Sequence, residues 1–158
     1  MKIEPTLEGG LRIDAESPLD WHVLMAIVHD ARSGGEDLAD RLGGLIDENA
    51  GAEDWQEYVV PELREGFDDQ LRAVAEAIGT AMHKAEDGIG SVRIRPTDGP
   101  VWYGAINQAR LALEDLHKLS AGMPESLDEE QSLEWRSASA RSYLYGKLQH
   151  FLFDLVIR

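Results

Sequence analysis

The chain opens with strand-like alternation before it settles into helical periodicity. Leu11 and Ile13 alternate with Arg12 and Asp14, and Gly9-Gly10 separates them from the short piece that begins at Ile3. Alternation at period two around paired glycines predicts a small hairpin over Ile3 to Ala15. A two-stranded ribbon is marginal alone, so this one needs helices to lean on. A second alternating stretch, Ser91 to Arg95, sets Val92 and Ile94 among polar neighbours between Gly90 and Pro96. It predicts a short strand that pairs with the hairpin.

The rest of the chain follows the helical period. Ser17-Pro18-Leu19-Asp20 supplies a capping residue, a proline for the first helical position and an acid at capping-box spacing. A helix is expected from there to about Ser33. Its apolar residues Trp21, Val23, Leu24, Met25, Ile27 and Val28 surround most of the circumference, which predicts burial. Gly34-Gly35 ends it. A short amphipathic segment spans Glu36 to Leu42. Gly43-Gly44 and the acidic stretch Asp47 to Asp54 read as a loop, with one turn around Leu45 and Ile46.

Trp55 to Val60 is apolar and aromatic, but Pro61 forbids an uninterrupted regular helix through it. Beyond it, Leu63, Phe67, Leu71, Val74, Ala75, Ile78 and Met82 mark a long amphipathic helix ending near Asp87-Gly88. Thr97 or Asp98 is expected to cap a helix from Pro100 to about Leu119. Its stripe is Trp102, Ala105, Ile106, Ala109, Leu113 and Leu116, while Leu111 on the far side implies a second neighbour. Ala121 to Pro124 breaks it. The last helix runs from near Asp128 to the end, with Leu144, Leu148, Phe151 or Leu152, and Leu155 as its seam, widened by Tyr143, Tyr145 and Phe153. With no repeat and no linker, residues 1–158 read as one mainly α, bundle-like domain with a hairpin and a short strand near 91–95.

Composition narrows the functions open to such a domain. The 158 residues, 43% of them hydrophobic, suffice for a core. No cysteine is present, which removes disulfides, thiolate nucleophiles and cysteine-based metal sites and fits a reducing compartment. No apolar h-region follows Met1-Lys2, and no apolar run approaches the roughly 18 to 20 residues of a membrane span. A cytoplasmic protein is expected. Fifteen basic residues against 30 acidic ones leave a formal charge of -15. That field repels phosphate backbones and anionic membranes, so neither nucleic acid nor membrane is expected as a partner. It complements a basic protein surface, and otherwise serves solubility.

Few residues are arranged for chemistry. His22 and His29 share a helix face, but seven residues at 1.5 Å rise set them about 10 Å apart. Glu114-Asp115-Leu116-His117 is one Glu-x-x-His, whereas a two-metal carboxylate bundle needs two such motifs and two further helix carboxylates. Asp47, Glu48, Glu53, Asp54 and Glu57, and the run Asp128-Glu129-Glu130, lack calcium-loop spacing and read as solvated charge. Gly88-Ile89-Gly90-Ser91 has neither the lysine nor the helix of a phosphate loop, and no Gly-x-Ser-x-Gly occurs. No metal, cofactor or catalytic residue is assigned.

The polar set with most promise is Asn107, Arg110 and Glu114, on neighbouring lines of one helix between apolar residues. The structural expectation is an Arg110–Glu114 pair with Asn107 on nearby backbone. The functional one is Arg110 gripping a carboxylate or other anion bidentately at an interface. Arg64 and Gln149 are further candidates for the same network.

The segment Trp102 to Leu113, with Asn107 and Arg110, resembles the tryptophan–asparagine–arginine helix of DUF2017, a family of uncharacterised bacterial proteins. Tyr58 to Leu71, with Pro61, Arg64 and Phe67, is similar to its proline-then-helix segment. Tyr143 to Val156, with Leu148-Gln149, is similar to its closing helix. The glycine turn before Trp21 fits as well. The resemblance implies a helical fold and singles out Trp102, Asn107, Arg110 and Gln149. It also implies a link to regulated proteolysis, since in actinobacteria the family's gene often neighbours that of the Clp protease adaptor. Gln108 stands where the family usually carries aspartate, and Glu114-Asp115 replaces its glycine-threonine.

The expected function is a non-catalytic regulatory or protein-interaction domain, with homodimerisation through an apolar helix face as one form of it. The alternatives are a small metal- or carboxylate-dependent hydrolase and a structural assembly component.

Overall fold

A computed structural model describes residues 1–34, 37–45 and 52–157. It is mainly helical. Strands β1 (Lys2–Pro5), β2 (Leu11–Ala15) and β3 (Gly90–Ile94) accompany helices α1 (Pro18–Arg32), α2 (Leu38–Gly43), α3 (Ala52–Asp54), α4 (Val60–His83), α5 (Gly99–His117) and α6 (Glu129–Leu152).

Alternation builds the sheet. β1 and β2 form the hairpin, and β3 pairs antiparallel with β2 in the order β1-β2-β3, setting Leu11 opposite Ile94 and Ile13 opposite Val92. All four are buried against the helices, while Arg12 and Arg93 face outward across from each other. The turn into β3 is Asp87-Gly88, both at positive φ (53° and 78°), with Glu86 and Ile89 bridged on either side. A side chain at Gly88 would also strike Pro18, and the Gly88 carbonyl accepts the Trp21 indole N–H at 2.8 Å. One glycine therefore joins the sheet to α1.

Helix α5 lies centrally, packed on α1, α4 and α6. Its Trp102, Ala105, Ile106, Ala109 and Leu113 meet Leu24 and Ile27 of α1, Leu71, Val74 and Ile78 of α4, and Tyr145, Leu148 and Leu152 of α6 in one core. Each fully buried leucine or isoleucine contributes about 2 kcal/mol of transfer free energy.

Several local expectations change. Ala52–Asp54 is helical and runs through a π turn, Trp55–Val59, into α4. Pro61 is accommodated at the start of α4, where the wide turn lets the Val60 N–H bond back to the Trp55 carbonyl and relieves the ladder that proline disrupts. Asp47, Glu48 and Ile46 lie outside the described residues. Helix α4 stops at His83, and Met82, Leu116 and Leu155 are exposed rather than in the seams assigned to them. In α6 the core position is Tyr145, wholly buried, with Leu144 at the margin. Asp98 is the N-cap of α5 but makes no capping bond, because Arg95 holds its carboxylate through Nε and Nη2 at 2.8 and 3.1 Å. The capping box of α6 forms between Asp128 and Gln131. At α1, Asp20 accepts the Glu16 N–H at 2.8 Å, whereas the Ser17 side chain makes no capping bond.

Candidate functional site

The site centres on Arg110, on the side of α5 that faces α6. Its Nη1 donates to Gln149 Oε1 at 2.6 Å, and Gln149 is buried on α6 with its own amide donating to the Tyr103 carbonyl at 3.4 Å. One nitrogen of an otherwise exposed guanidinium is thus fixed to the core. Among the described residues, Nε and Nη2 of Arg110 have no partner. That edge is the planar fork that matches a carboxylate.

Gly146 of α6 lies beside the guanidinium. A Cβ built there would lie 3.7 Å from Arg110 Cζ and 3.9 Å from Nε and Nη2, as for an atom over the guanidinium plane. Around this point opens a groove of about 580 Å³ between α5, the turn after it and α6, lined by Glu114, Ser120, Ser142, Tyr143, Lys147 and Phe151 among others. The Lys147 ammonium sits 5.1 Å from the centre of the exposed Tyr143 ring, within cation–π range. The groove therefore combines Arg110 and Lys147 with one acid, Glu114, and with hydroxyl and aromatic side chains, in a chain of net charge -15.

The expected Arg110–Glu114 pair does not form. Glu114 turns to the end of its helix, where it accepts from the Ser120 backbone N–H at 3.1 Å and from the Ser120 hydroxyl at 2.5 Å. That closes the turn after Lys118, which is left-handed at φ 49°. Asn107 is exposed and makes no side-chain bond among the described residues. Trp102 is a core residue, 3% exposed. Arg64 belongs elsewhere: it ties α4 to α2 through Asp40 at 2.7 Å and Asp37 at 3.5 Å, and Asp37 also caps α2. Of the six candidates, the structure brings together Arg110, Glu114 and Gln149. Among the described residues no group of three or more histidines or acids is placed to hold a metal ion.

Sequence reasoning missed the most buried polar cluster. Asp30, 3% exposed on α1, accepts from Arg141 Nε at 2.7 Å and Nη2 at 3.1 Å, and from the Tyr145 hydroxyl at 2.7 Å. Arg141 Nη1 goes on to the Ser137 hydroxyl at 2.8 Å. Burial, and then the bond to Asp30, push the Tyr145 hydroxyl well above the ordinary tyrosine range. The available signal was an acid three residues after Ile27, on a helix face that is otherwise apolar. The cluster is closed, with the carboxylate saturated from both sides, so it fixes α6 on α1 and leaves no group to act on a ligand.

Gln108, one of the departures from the family pattern, is buried and donates to the Gln70 side chain at 2.9 Å. Gly104 gives Gln70 its space, since any side chain there would collide with it. A neutral amide pair occupies that position, with no charge to compensate.

Among the described residues no helix is long and apolar enough to cross a membrane. No curated protein and no solved structure matches the chain. The family model described as a domain of unknown function, DUF2017, matches residues 12–156, a span that takes in Tyr58 to Leu71, Trp102 to Leu113 and Tyr143 to Val156 and begins just after the Gly9-Gly10 turn. The chain belongs to the DUF2017 family.

Proposed function

We propose that this domain is a non-catalytic protein-interaction module that takes a carboxylate of its partner on Arg110, in the groove between α5 and α6. The observation that supports this reading is the state of the Arg110 guanidinium: anchored through Nη1 to buried Gln149, with its Nε/Nη2 edge open. An arginine fixed in advance loses little freedom when it binds, which makes it an efficient anchor. Tyr143 and Phe151 supply aromatic contact beside it. The acidic surface beyond the groove favours basic groups around the partner's carboxylate, so the complementary surface is a mixed one with a basic rim. The gene neighbourhood that the resemblance implies makes regulated proteolysis the first setting in which to look for that partner.

Capture from the lysate of the protein's own host, read by mass spectrometry, tests the proposal with wild type, Arg110→Gln and the remote control Arg72→Gln. Among the described residues, Arg72 pairs only with Asp69, and both are exposed. A charge-assisted pair lost from an interface costs about 1.5–3 kcal/mol, roughly a tenfold or greater loss of affinity. The expected result is a partner held by wild type and Arg72→Gln and lost from folded Arg110→Gln. A partner indifferent to Arg110 overturns the reading.

A further inference from the structure

The two edges of the sheet are finished differently. The edge formed by β1 ends in Pro5, which has no N–H to offer a neighbour, and its Met1 ammonium is drawn onto Glu16 at 2.6 Å and Asp20 at 3.1 Å. The edge formed by β3 has no proline between Gly90 and Ile94 and pairs with β2 on one side only. Among the described residues, no backbone group of Ser91 to Ile94 bonds to anything beyond the sheet. Alternate residues of an antiparallel strand aim both N–H and C=O at the same side, so a row of paired donors and acceptors faces outward here.

That row borders a groove of about 550 Å³ between β3 and α4. The helix side is walled by Ala73, Ala77 and Ala81, one turn apart, whose methyl groups leave the space open, and buried Trp102 lies at its base. The charges around it are uneven. Arg95 places Nε and Nη2 on Asp98, Lys84 and Arg93 have no ion-pair partner among the described residues, and Glu76 is the one lining acid besides Asp98. In a chain with twice as many acids as bases, two uncommitted cations beside an open strand edge specify what fits there.

We infer that the groove between β3 and α4 accepts an extended acidic segment of a partner protein, which adds to β3 as a fourth strand. A segment in strand conformation is the occupant that meets such a row with direct backbone hydrogen bonds. The alanine wall and apolar base accept small or branched side chains on one face of that strand. Arg93, exposed between buried Val92 and Ile94, selects acids on the other face, and Lys84 at the end of α4 adds a second positive charge beside the alanine wall. This surface is separate from the Arg110 groove and does not depend on it.

The probe is a seven-residue peptide alternating glutamate and valine, added to the full chain while backbone amides are followed by NMR. Two comparison peptides are used: one alternating lysine and valine, and one of the first sequence with alternate backbone nitrogens methylated. Binding of the first peptide with shifts at the Ser91–Ile94 amides, lost on methylation and absent with lysine, is the expected result. Arg93→Gln is expected to weaken it about fivefold. Ala77→Leu, or Ala73→Leu at an exposed position if the former disturbs the helix, fills the groove and weakens it tenfold or more, while Arg110→Gln leaves it unchanged. No shifts at β3 with millimolar peptide, or equal binding of the methylated or lysine peptide, overturns the inference.

Discussion

Arg141 of α6 and Arg110 of α5 are each held by a residue of the core, and they end in opposite states. Arg141 spends its Nε/Nη2 edge on buried Asp30 and its remaining nitrogen on Ser137. Arg110 spends only Nη1, on buried Gln149, and leaves the edge that Arg141 uses open. The difference lies in what the neighbouring helix supplies. Opposite Arg141 stands a carboxylate that must be neutralised once it is buried. Opposite Arg110 stands a neutral amide that needs one donor and no more. The first arginine is therefore consumed by the fold, and the second is positioned by the fold with binding capacity to spare.

Breaking the saturated side has the largest expected effect. Arg141→Met strands the Asp30 carboxylate in the core, and removing one partner of such a pair costs about 3–5 kcal/mol. Urea unfolding followed by circular dichroism measures it. Replacing the whole cluster with Asp30→Leu, Tyr145→Phe and Arg141→Met leaves no unpaired charge, and the triple variant is expected within about 2 kcal/mol of wild type. A loss below about 1 kcal/mol in Arg141→Met would make the two arginines equivalent and remove the contrast.

Tyr145→Phe comes next. It removes one hydrogen bond to a charged acceptor, worth about 1.5–3 kcal/mol. It also changes the response to alkali. The folded state holds the Tyr145 proton above the ordinary value of 10.0, so the unfolded chain releases that proton first as pH rises. The native state then binds more protons than the unfolded one, and stability falls with increasing pH. That contribution is intact below about pH 10 and declines above it. Unfolding midpoints measured upward from pH 9 are expected to fall less steeply in Tyr145→Phe than in wild type.

These clusters differ in how far they could be read in the sequence. The hairpin and the third strand were legible because Leu11, Ile13, Val92 and Ile94 alternate, and alternation fixes which face of each strand is buried; the register itself is set in the packed sheet. The long helices were legible for the equivalent reason at period 3.6. The polar ties were not, because a hydrogen bond depends on distance in space. Asp30 and Arg141 are 111 positions apart, and each looks ordinary on its own helix. Glu114 sits one turn from Arg110, so local spacing pairs them, yet Gln149 and Ser120 offer each a better-placed partner. Arg110 and Gln149 were both identified, but the bond joining them became visible only once α5 and α6 were packed. Tyr145 reads in the sequence as widening the seam of its helix; its complete burial depends on Asp30, which supplies the partner its hydroxyl needs.

On the open side the effects are smaller. Arg110→Gln leaves the Gln149 carbonyl without its donor at a site only 4% exposed. Stranding one neutral acceptor costs about 1–2 kcal/mol, well under the loss expected for Arg141→Met. Arg110→Lys keeps the charge and a donor but has no fork. It should retain most of the stability while losing the two-point grip on a carboxylate, so thermal unfolding and partner capture are expected to separate.

The smallest change tests the geometry of the open arginine directly. Gly146 lies inside α6, where glycine costs about 0.5–1 kcal/mol relative to alanine through the extra freedom of the unfolded chain. A methyl group there meets nothing closer than Arg110 Cζ at 3.7 Å, an ordinary contact. Gly146→Ala is accordingly expected to raise stability by about 0.5 kcal/mol, with the methyl resting on the guanidinium face and the Nε/Nη2 edge still free. Partner capture through Arg110 should survive it. A destabilised Gly146→Ala would mean that Arg110 presses closer to α6 than 3.7 Å allows. Its open edge would then be a consequence of crowding, and the contrast with Arg141 would rest on the packing of α6 rather than on the neutral partner opposite.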